Sequence, residues 1–292
     1  MTVSKVHVLA NPAARKGRGA AHYAKVLAAL RAHGDPFTEL DAATPDRARA
    51  ALRSVTADES ARVLLVGGDG LVHLAVQELA TTMTVVGIIP AGTGNDFAHA
   101  LGLDRGSLTE QVDAALGPAR ALDAIRTTRG WVASVATIGF AASVNARANA
   151  LTWPGGRARY TVATVAVLPR LRPVSLVLEL DDQRVAVTTT MLAVANTAFF
   201  GGGMAICPDA RADDSLLDVA VVGDVRPLTL LRVFPRVFRG THVTHPQVTM
   251  YRARRVKLLA TAADVWGDGE LLGPAPIELE AAGSAFRVAG AR

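Results

Sequence analysis

Cysteine is almost missing from this chain: Cys207 is the only one in 292 residues. A lone thiol excludes an internal disulfide framework and fits a reducing compartment. Long apolar runs are missing too. No stretch reaches the roughly 18 apolar residues that a membrane-spanning helix needs. The nearest, Val185 to Phe200, is broken by Thr188, Thr189, Thr190, Asn196 and Thr197. The opening MTVSKVHVLANP lacks the apolar centre of a secretory signal and reads as a buried strand. The expectation is a cytoplasmic protein which, if it meets a membrane, does so from the side, as a peripheral protein at its inner face. Aromatic residues make up 5% of the chain, few for a surface that stacks nucleic-acid bases. No nucleic-acid partner is expected, and the oligomeric state, a homodimer included, stays open.

What is present is apolar and basic. Half the residues are hydrophobic and a fifth are charged, enough for a sizeable core. The formal net charge is +5, carried almost wholly by arginine. That balance suits an anionic partner such as a nucleotide or an acidic lipid surface, without choosing between them.

The chain changes rhythm near residue 123. Before it, short apolar runs alternate with helical stretches: strands at Val6–Ala10, Phe37–Leu40, Arg62–Val66 and Val85–Ile89, helices at Ala20–His33, Pro45–Val55, Leu71–Thr82 and from Asn95 to Leu101. Alternation of this kind implies a mostly parallel sheet covered on both faces. Beyond residue 123 the segments become β-rich and turn-punctuated: Trp131–Ile138, Ser175–Leu180, Arg184–Val194, Leu216–Val222, Arg254–Leu259, Ile277–Ala281 and Ala285–Val288. Helical insertions interrupt them at Val144–Arg172 and Pro227–Arg239. The expected architecture is an α/β domain over residues 1–122, followed by an antiparallel β-sandwich domain over 123–292.

Two glycine turns carry the chemistry of the first half. Gly67-Gly68-Asp69-Gly70 lies between a strand and a helix, and so does Gly92-Thr93-Gly94-Asn95-Asp96. Glycine lets backbone approach a ligand closely, and a helix N-terminus offers unpaired N–H groups to an anion. Asp69 would repel phosphate, so its work lies with a divalent metal or a hydroxyl. Asn95 or Asp96 could serve simply as a helix cap. In a parallel sheet both turns fall at the carboxyl ends of neighbouring strands, where such folds bind ligands. A basic loop, Asn11 to Gly19, also follows a strand and carries Arg15, Lys16 and Arg18.

Two acidic stretches stand out in the second half. Asp213, Asp214 and Asp218 crowd before a strand, either as an all-oxygen cation site or as a plain acidic turn. Asp268 and Glu270 flank Gly269. If the stretch is a strand, residues two apart face the same way and could share one proton-accepting task; the alternative is an Asp-Gly hairpin turn.

Together and in this order these stretches resemble the diacylglycerol kinase catalytic-domain superfamily, which includes bacterial diacylglycerol kinases, YegS-like lipid kinases and the sphingosine and ceramide kinases. The resemblance covers nearly the whole chain and is most specific at Pro90-Ala91-Gly92-Thr93-Gly94-Asn95-Asp96-Phe97-Ala98. It implies a nucleotide-binding α/β domain, a β-sandwich domain, an active-site cleft between them, and the use of ATP and Mg²⁺. By position, Asn11 and Pro12, Thr44, the run Gly67, Gly68, Asp69, Gly70, Leu71, Val72 and His73, and the run Gly92, Thr93, Gly94, Asn95 and Asp96 fall at the nucleotide. Asp214, with the carbonyls of Arg211 and Leu216, falls at a structural Mg²⁺ site, and Glu270, with Asp268 beside it, at the general base. The implied reaction is phosphoryl transfer from ATP to a lipid hydroxyl, diacylglycerol foremost, with a lipid substrate at a membrane surface.

The chain departs from the family pattern at Leu71, His73 and Leu74, where Thr and Asn-Glu are usual, and at Ala14-Arg15, where Ser-Gly is usual. These departures motivate one rival reading, an inactive nucleotide or lipid sensor. An NAD kinase-like enzyme is another, because it also uses a Gly-Gly-Asp-Gly loop. Leu228 to Arg239 reads as an amphipathic helix, with Leu230, Leu231, Phe234, Val237 and Phe238 opposite Arg232, Arg236 and Arg239. Packing on its own domain is the simpler reading of that helix, and seating at a lipid interface the other.

Overall fold

Strands form where β-branched and leucine runs meet glycine or proline, and helices where a cap precedes an apolar period. The computed structural model describes residues 5–10, 18–153, 157–170, 172–260 and 263–291. The chain divides into two units, Met1–Ala124 with Gly283–Arg292, and Ile125–Ala282. The chain's end therefore belongs with the first unit rather than the second, which a boundary near residue 123 does not anticipate.

The first unit runs β1 (Val6–Ala10), α1 (Arg18–His33), β2 (Phe37–Glu39), α2 (Pro45–Val55), β3 (Arg62–Gly67), α3 (Asp69–Leu79), β4 (Val85–Pro90), α4 (Asp96–Ala100), α5 (Leu108–Leu116) and β5 (Ala119–Thr127). Its strands pair in the order β2-β1-β3-β4, all parallel. Both faces of the sheet are covered. Val8, Leu64, Val66 and Ile89 pack with Val26, Leu30 and Val112 of α1 and α5, while Val63 and Leu65, on the alternate positions, are buried too. Burial on both faces is why these strands read as unbroken apolar runs. Each such side chain contributes roughly 1.5–3 kcal/mol.

Helix α5 is absent from the sequence expectation, although its signal is local. Ser107 accepts the N–H of Glu110, and the Glu110 carboxylate accepts the N–H of Ser107. That reciprocal pair at Ser-x-x-Glu is a helix start.

The second unit contains β6 (Gly130–Val132), β7 (Val135–Gly139), α6 (Phe140–Ala150), α7 (Arg157–Val167), β8 (Val174–Leu180), β9 (Gln183–Thr189), β10 (Met191–Ala195), β11 (Phe199–Phe200), β12 (Met204–Ala205), β13 (Leu217–Val222), α8 (Pro227–Val237), β14 (Val248–Ala253), β15 (Arg255–Ala260), β16 (Asp264–Gly267), β17 (Glu270–Pro274) and β18 (Ile277–Ala289). One antiparallel sheet runs β14-β13-β10-β7-β16-β17. Its inner face, with Ile138, Leu192, Val194 and Val219, packs against Leu178, Val256, Leu258 and Leu279 of the strands β8, β15 and β18. Its other face, with Val135, Ala193 and Ala220, carries α6, α7 and α8.

Three strand expectations change. Trp131–Ile138 splits into β6, which pairs with β5, and β7, which pairs with β10 and β16. Arg184–Val194 is not one strand: β9 pairs with β8, whereas β10 pairs with β13 and β7. The chain crosses between sheets at Thr189 and Thr190, where the Thr189 hydroxyl meets the Met191 and Val222 carbonyls. Conversely, Ile277–Ala281 and Ala285–Val288 form one strand, β18, irregular at Ser284 with φ +56°. Its first half pairs with β15 and its last residues pair in parallel with β4.

Cys207 is completely buried against the Asp218 carbonyl. Burial, reinforced by the Asp218 charge, pushes its thiol well above the ordinary range. The native protein should therefore be inert to Ellman's reagent at pH 8 and release one thiol equivalent on denaturation. Rapid labelling of the folded chain would contradict this packing.

Candidate functional site

Strands β3 and β4 are parallel neighbours, with Gly67 opposite Pro90. The two glycine turns at their carboxyl ends are therefore side by side. They are also in backbone contact. A Cβ built on Gly92 would lie 2.5 Å from the Gly68 Cα, and one on Gly68 would lie 2.9 Å from the Gly92 Cα. So these two glycines are required first by each other, and only secondarily by any ligand. Gly70 differs: a Cβ there meets nothing within 4 Å.

Asn95 and Asp69 lock the pair. The Asn95 amide oxygen accepts the Gly92 N–H at 2.9 Å, and its amide nitrogen donates to the Gly92 carbonyl at 3.1 Å. Asn95 thus adopts a left-handed conformation and makes no side-chain cap to α4. Asp69 does that work from the other turn, its Oδ1 accepting the Phe97 N–H at 3.2 Å. Phe97 is then anchored against the Phe286 ring, centroids 6.3 Å apart. The carboxylates of Asp69 and Asp96 approach one face of Gly94: a Cβ there would lie 2.7 Å from one and 3.4 Å from the other.

The outcome for the expected nucleotide residues is mixed. Asn11 and Pro12 lie outside the described residues. Among the described residues, the N–H groups of Gly68, Gly70, Thr93 and Gly94 have no acceptor, whereas those of Leu71 and Val72 bond to the Gly68 carbonyl. The side chains of Leu71, Val72 and His73 are buried on the inward face of α3. They cannot be phosphate contacts, which corrects the expectation for those three side chains. Leu71 instead of Thr is a packing choice at a core position. Thr93 is exposed. Thr44 caps α2, its hydroxyl accepting the Arg47 N–H at 3.3 Å.

At the other acidic pair the turn wins over the strand. Strands β16 and β17 form a hairpin in which Gly267 faces Glu270. Asp268 and Gly269 are the two turn residues, with φ +52° and +87°. Positive φ at both positions is the Asp-Gly turn that suits hairpin twist. Asp268 and Glu270 therefore do not lie along one extended strand, and the alternation argument for a shared direction fails. The two oxygens of Asp268 accept the N–H groups of Ala133 and Ser134, each at 2.8 Å. Asn149 of α6 donates to the Gly269 carbonyl at 3.1 Å. Asn196 completes the frame, with its own N–H on the Ser134 carbonyl and its side-chain amide on that of Ala133. Asn149 and Asn196 had no local signal, since only tertiary structure brings them here. The exposed side chain of Glu270 makes no hydrogen bond among the described residues. Of the two carboxylates, Glu270 is the one available for proton transfer, and Asp268 holds its hairpin.

The acidic turn does not fit the expected cation. One Asp214 oxygen accepts the Leu216 N–H at 3.1 Å, and the other pairs with Arg252. Arg252 also reaches Asp218 at 3.3 Å, while Arg211 pairs through its side chain with Asp213 at 3.2 Å. Burial raises the Asp218 carboxyl above its usual range, and Arg252 opposes that shift. Among the described residues no three His, Cys, Asp or Glu side chains gather to hold a metal ion. In this structure Arg252 closes the turn at Asp214, the one carboxylate of the expected set of Arg211, Asp214 and Leu216.

Residues 5–127 match the diacylglycerol kinase catalytic domain, and residues 133–290 match the YegS C-terminal NAD kinase beta sandwich-like domain. A diacylglycerol kinase of Mycobacterium tuberculosis (strain ATCC 25618 / H37Rv) is 37% identical over 98% of this chain and 95% of its own length. The chain belongs to the diacylglycerol kinase family of lipid kinases. Another relative in this family, a diacylglycerol kinase of Bacillus subtilis (strain 168), is 26% identical over 94% of this chain and 93% of its own. The fold agrees as well. The crystal structure of a diacylglycerol kinase from Bacillus anthracis str. Sterne superposes with a TM-score of 0.76, over 99% of this chain and 97% of that one, at 18% identity.

Two outcomes follow from this geometry. Gly92→Ala should cost about 1–3 kcal/mol in urea unfolding, the usual range for overpacking, while Gly70→Ala should range from neutral to about 1 kcal/mol stabilising. Equal destabilisation by both would contradict the backbone contact. Millimolar Mg²⁺ or EDTA should leave the melting temperature of the nucleotide-free protein unchanged. A Mg²⁺-dependent rise that Asp214→Asn abolishes would restore the metal to the acidic turn.

Proposed function

We propose that this chain transfers the γ-phosphoryl group of ATP to a lipid hydroxyl, with diacylglycerol as acceptor and phosphatidic acid as product. The observation that carries the reading is the paired glycine turns. Four N–H groups without acceptors sit there at the start of α3 and beside it. Backbone donors at a helix N-terminus suit an anionic phosphate chain, and they do not depend on the hydroxyl that Leu71 lacks. The acceptor comes from the relatives named diacylglycerol kinase.

In this reading Gly68, Gly70, Thr93 and Gly94 donate to phosphate oxygens and hold the triphosphate still. Positioning and charge stabilisation are most of what such a transfer needs. The lipid hydroxyl oxygen bonds to the γ-phosphorus as the bond to the β,γ-bridging oxygen breaks. ADP leaves, and the hydroxyl proton passes to the Glu270 carboxylate. Asp268 and Asn149 keep the Glu270 hairpin in place. Asp69 and Asp96, carboxylates around Gly94, offer the oxygen donors that Mg²⁺ prefers. When bound, Mg²⁺ would neutralise phosphate charge. The sensor reading loses its main support, because Leu71 and His73 are core residues rather than missing ligands.

The test is transfer of labelled phosphate from ATP to diacylglycerol in mixed micelles, with ceramide, a sphingoid base and NAD as competing acceptors. Glu270→Gln should lower kcat by roughly 10²–10⁴-fold, the range for losing a general base, without changing ATP affinity. Label in NAD alone would overturn the lipid reading, and an active Glu270→Gln would overturn the base.

A further inference from the structure

The helices on the outer face of the six-stranded sheet are apolar where they should be covered and are not. Helix α8 contains Leu228, Leu230, Leu231, Val233, Phe234 and Val237, yet none of its residues is buried. Leu230 and Val237 pack partly on the sheet. Leu228, Leu231 and Phe238 remain 69%, 48% and 49% exposed. The neighbouring cover repeats the pattern, with Trp153 at 81% and Val165 at 65%. Helices α6, α7 and α8 all rest on one apolar cluster, that of Val135, Ala193 and Ala220. Of the eight large hydrophobic side chains exposed among the described residues, all but Met83 and Leu271 belong to this cover. Exposure concentrated in this way marks an interaction surface.

Charge says what the surface meets. Residues 124–178 and 225–263, which contain the whole cover, include no Asp or Glu, although the chain has 26 of them. Arg147, Arg226, Arg232 and Arg239 are exposed. Among the described residues none of the four pairs with a carboxylate. Apolar side chains fringed by free arginines, with acid excluded, match the acyl boundary and phosphate layer of an anionic bilayer. A protein partner would be expected to meet some carboxylate here, and none is offered.

We infer that α8 and the α6–α7 segment form the docking face by which this protein seats on an anionic phospholipid surface, with Leu228, Leu231, Phe238 and Trp153 entering the interface. The inference rests on the lipid-kinase reading for its choice of partner, but it concerns binding and needs no turnover. Pro235 fits such a helix. It removes one backbone donor from a helix that buries none of its residues.

Flotation with phosphatidylcholine vesicles, with and without phosphatidylglycerol and without nucleotide, tests the docking face. Wild-type protein should float only with the anionic vesicles. Leu228→Ser, Leu231→Ser and Phe238→Ser combined should lower that affinity by at least about tenfold, and each of Arg226→Gln, Arg232→Gln and Arg239→Gln by about fivefold. Brominated lipid should quench wild-type fluorescence, and Trp153→Phe should remove most of the quenching. The triple serine variant should remain folded, losing only the contact of the Phe234 and Phe238 rings, and should keep wild-type turnover on water-soluble dioctanoylglycerol. Unchanged flotation of that variant, or a dimer in solution that it dissociates, would overturn the docking face. Absence of turnover on the soluble acceptor in wild type would instead sink the kinase reading and leave the flotation result standing.

Discussion

Everything at the carboxyl ends of β3 and β4 depends on two backbones touching. Gly68 and Gly92 leave no room for a Cβ on either side, so the turns after β3 and β4 behave as one object. Asn95 and Asp69 then fasten that object from within, Asn95 by closing its own turn on Gly92 and Asp69 by reaching across to the Phe97 N–H. The result is a rigid cluster of N–H groups whose positions are set before any ligand arrives. Preorganised donors cost nothing to reorient when charge develops, which is the usual basis of electrostatic catalysis. A glycine-rich turn without this mutual contact would be loose, and looseness is what positioning catalysis cannot tolerate.

The hairpin carrying Glu270 follows the same logic with different chemistry. Asp268 is a charged residue used as a structural clasp. Its two oxygens each take a backbone N–H, and bonds to an ionised acceptor are roughly twice as strong as neutral ones. The clasped segment, Ala133–Ser134, is gripped again on its carbonyl side by Asn196. Glu270 is left outside this network. Of two acids two positions apart, geometry makes one a fastener and leaves the side chain of the other exposed, though composition treats them alike.

How much of this could be read in advance follows from what each feature depends on. The parallel strands were legible because burial on both faces leaves an unbroken apolar run, and the glycine turns because only glycine tolerates that approach. Resemblance at Gly92 to Asp96 supplied the family. The break at Thr189–Thr190 was not legible, because a strand changing sheets keeps its β-rich composition and loses only its partner. Nor was the continuity of β18, since Gly283-Ser284 reads locally as a stop. The partner of Asp214 was out of reach for another reason. An acidic turn looks the same whether a metal or Arg252 closes it, and Arg252 lies 38 residues away. Leu71 and His73 were legible as departures but not as core residues, because a helix start does not announce which face will be buried.

Arginine links these observations. The composition says only that the chain is basic, while the fold sets two groups of arginines apart from those that bond to backbone carbonyls, such as Arg62 and Arg129. Arg53, Arg126, Arg252 and Arg255 are spent on Glu78, Glu280, Asp214 and Glu278, and there the planar guanidinium serves as a fixed brace between strands or helices. The Arg126 bond draws the Glu280 carboxyl below its ordinary range. Arg147, Arg226, Arg232 and Arg239 have no such assignment, and they fall where acids are excluded from long stretches of sequence. A nearby carboxylate is the easiest way to stabilise an exposed guanidinium, and these stretches offer none. Keeping acids out forgoes that small stabilisation, typically about 0–1 kcal/mol per exposed pair, and leaves the positive charge available to an external anion. The net charge of +5 is therefore less informative than its distribution. In this chain the uncompensated part of that charge borders the apolar side chains that no other part of the described structure covers.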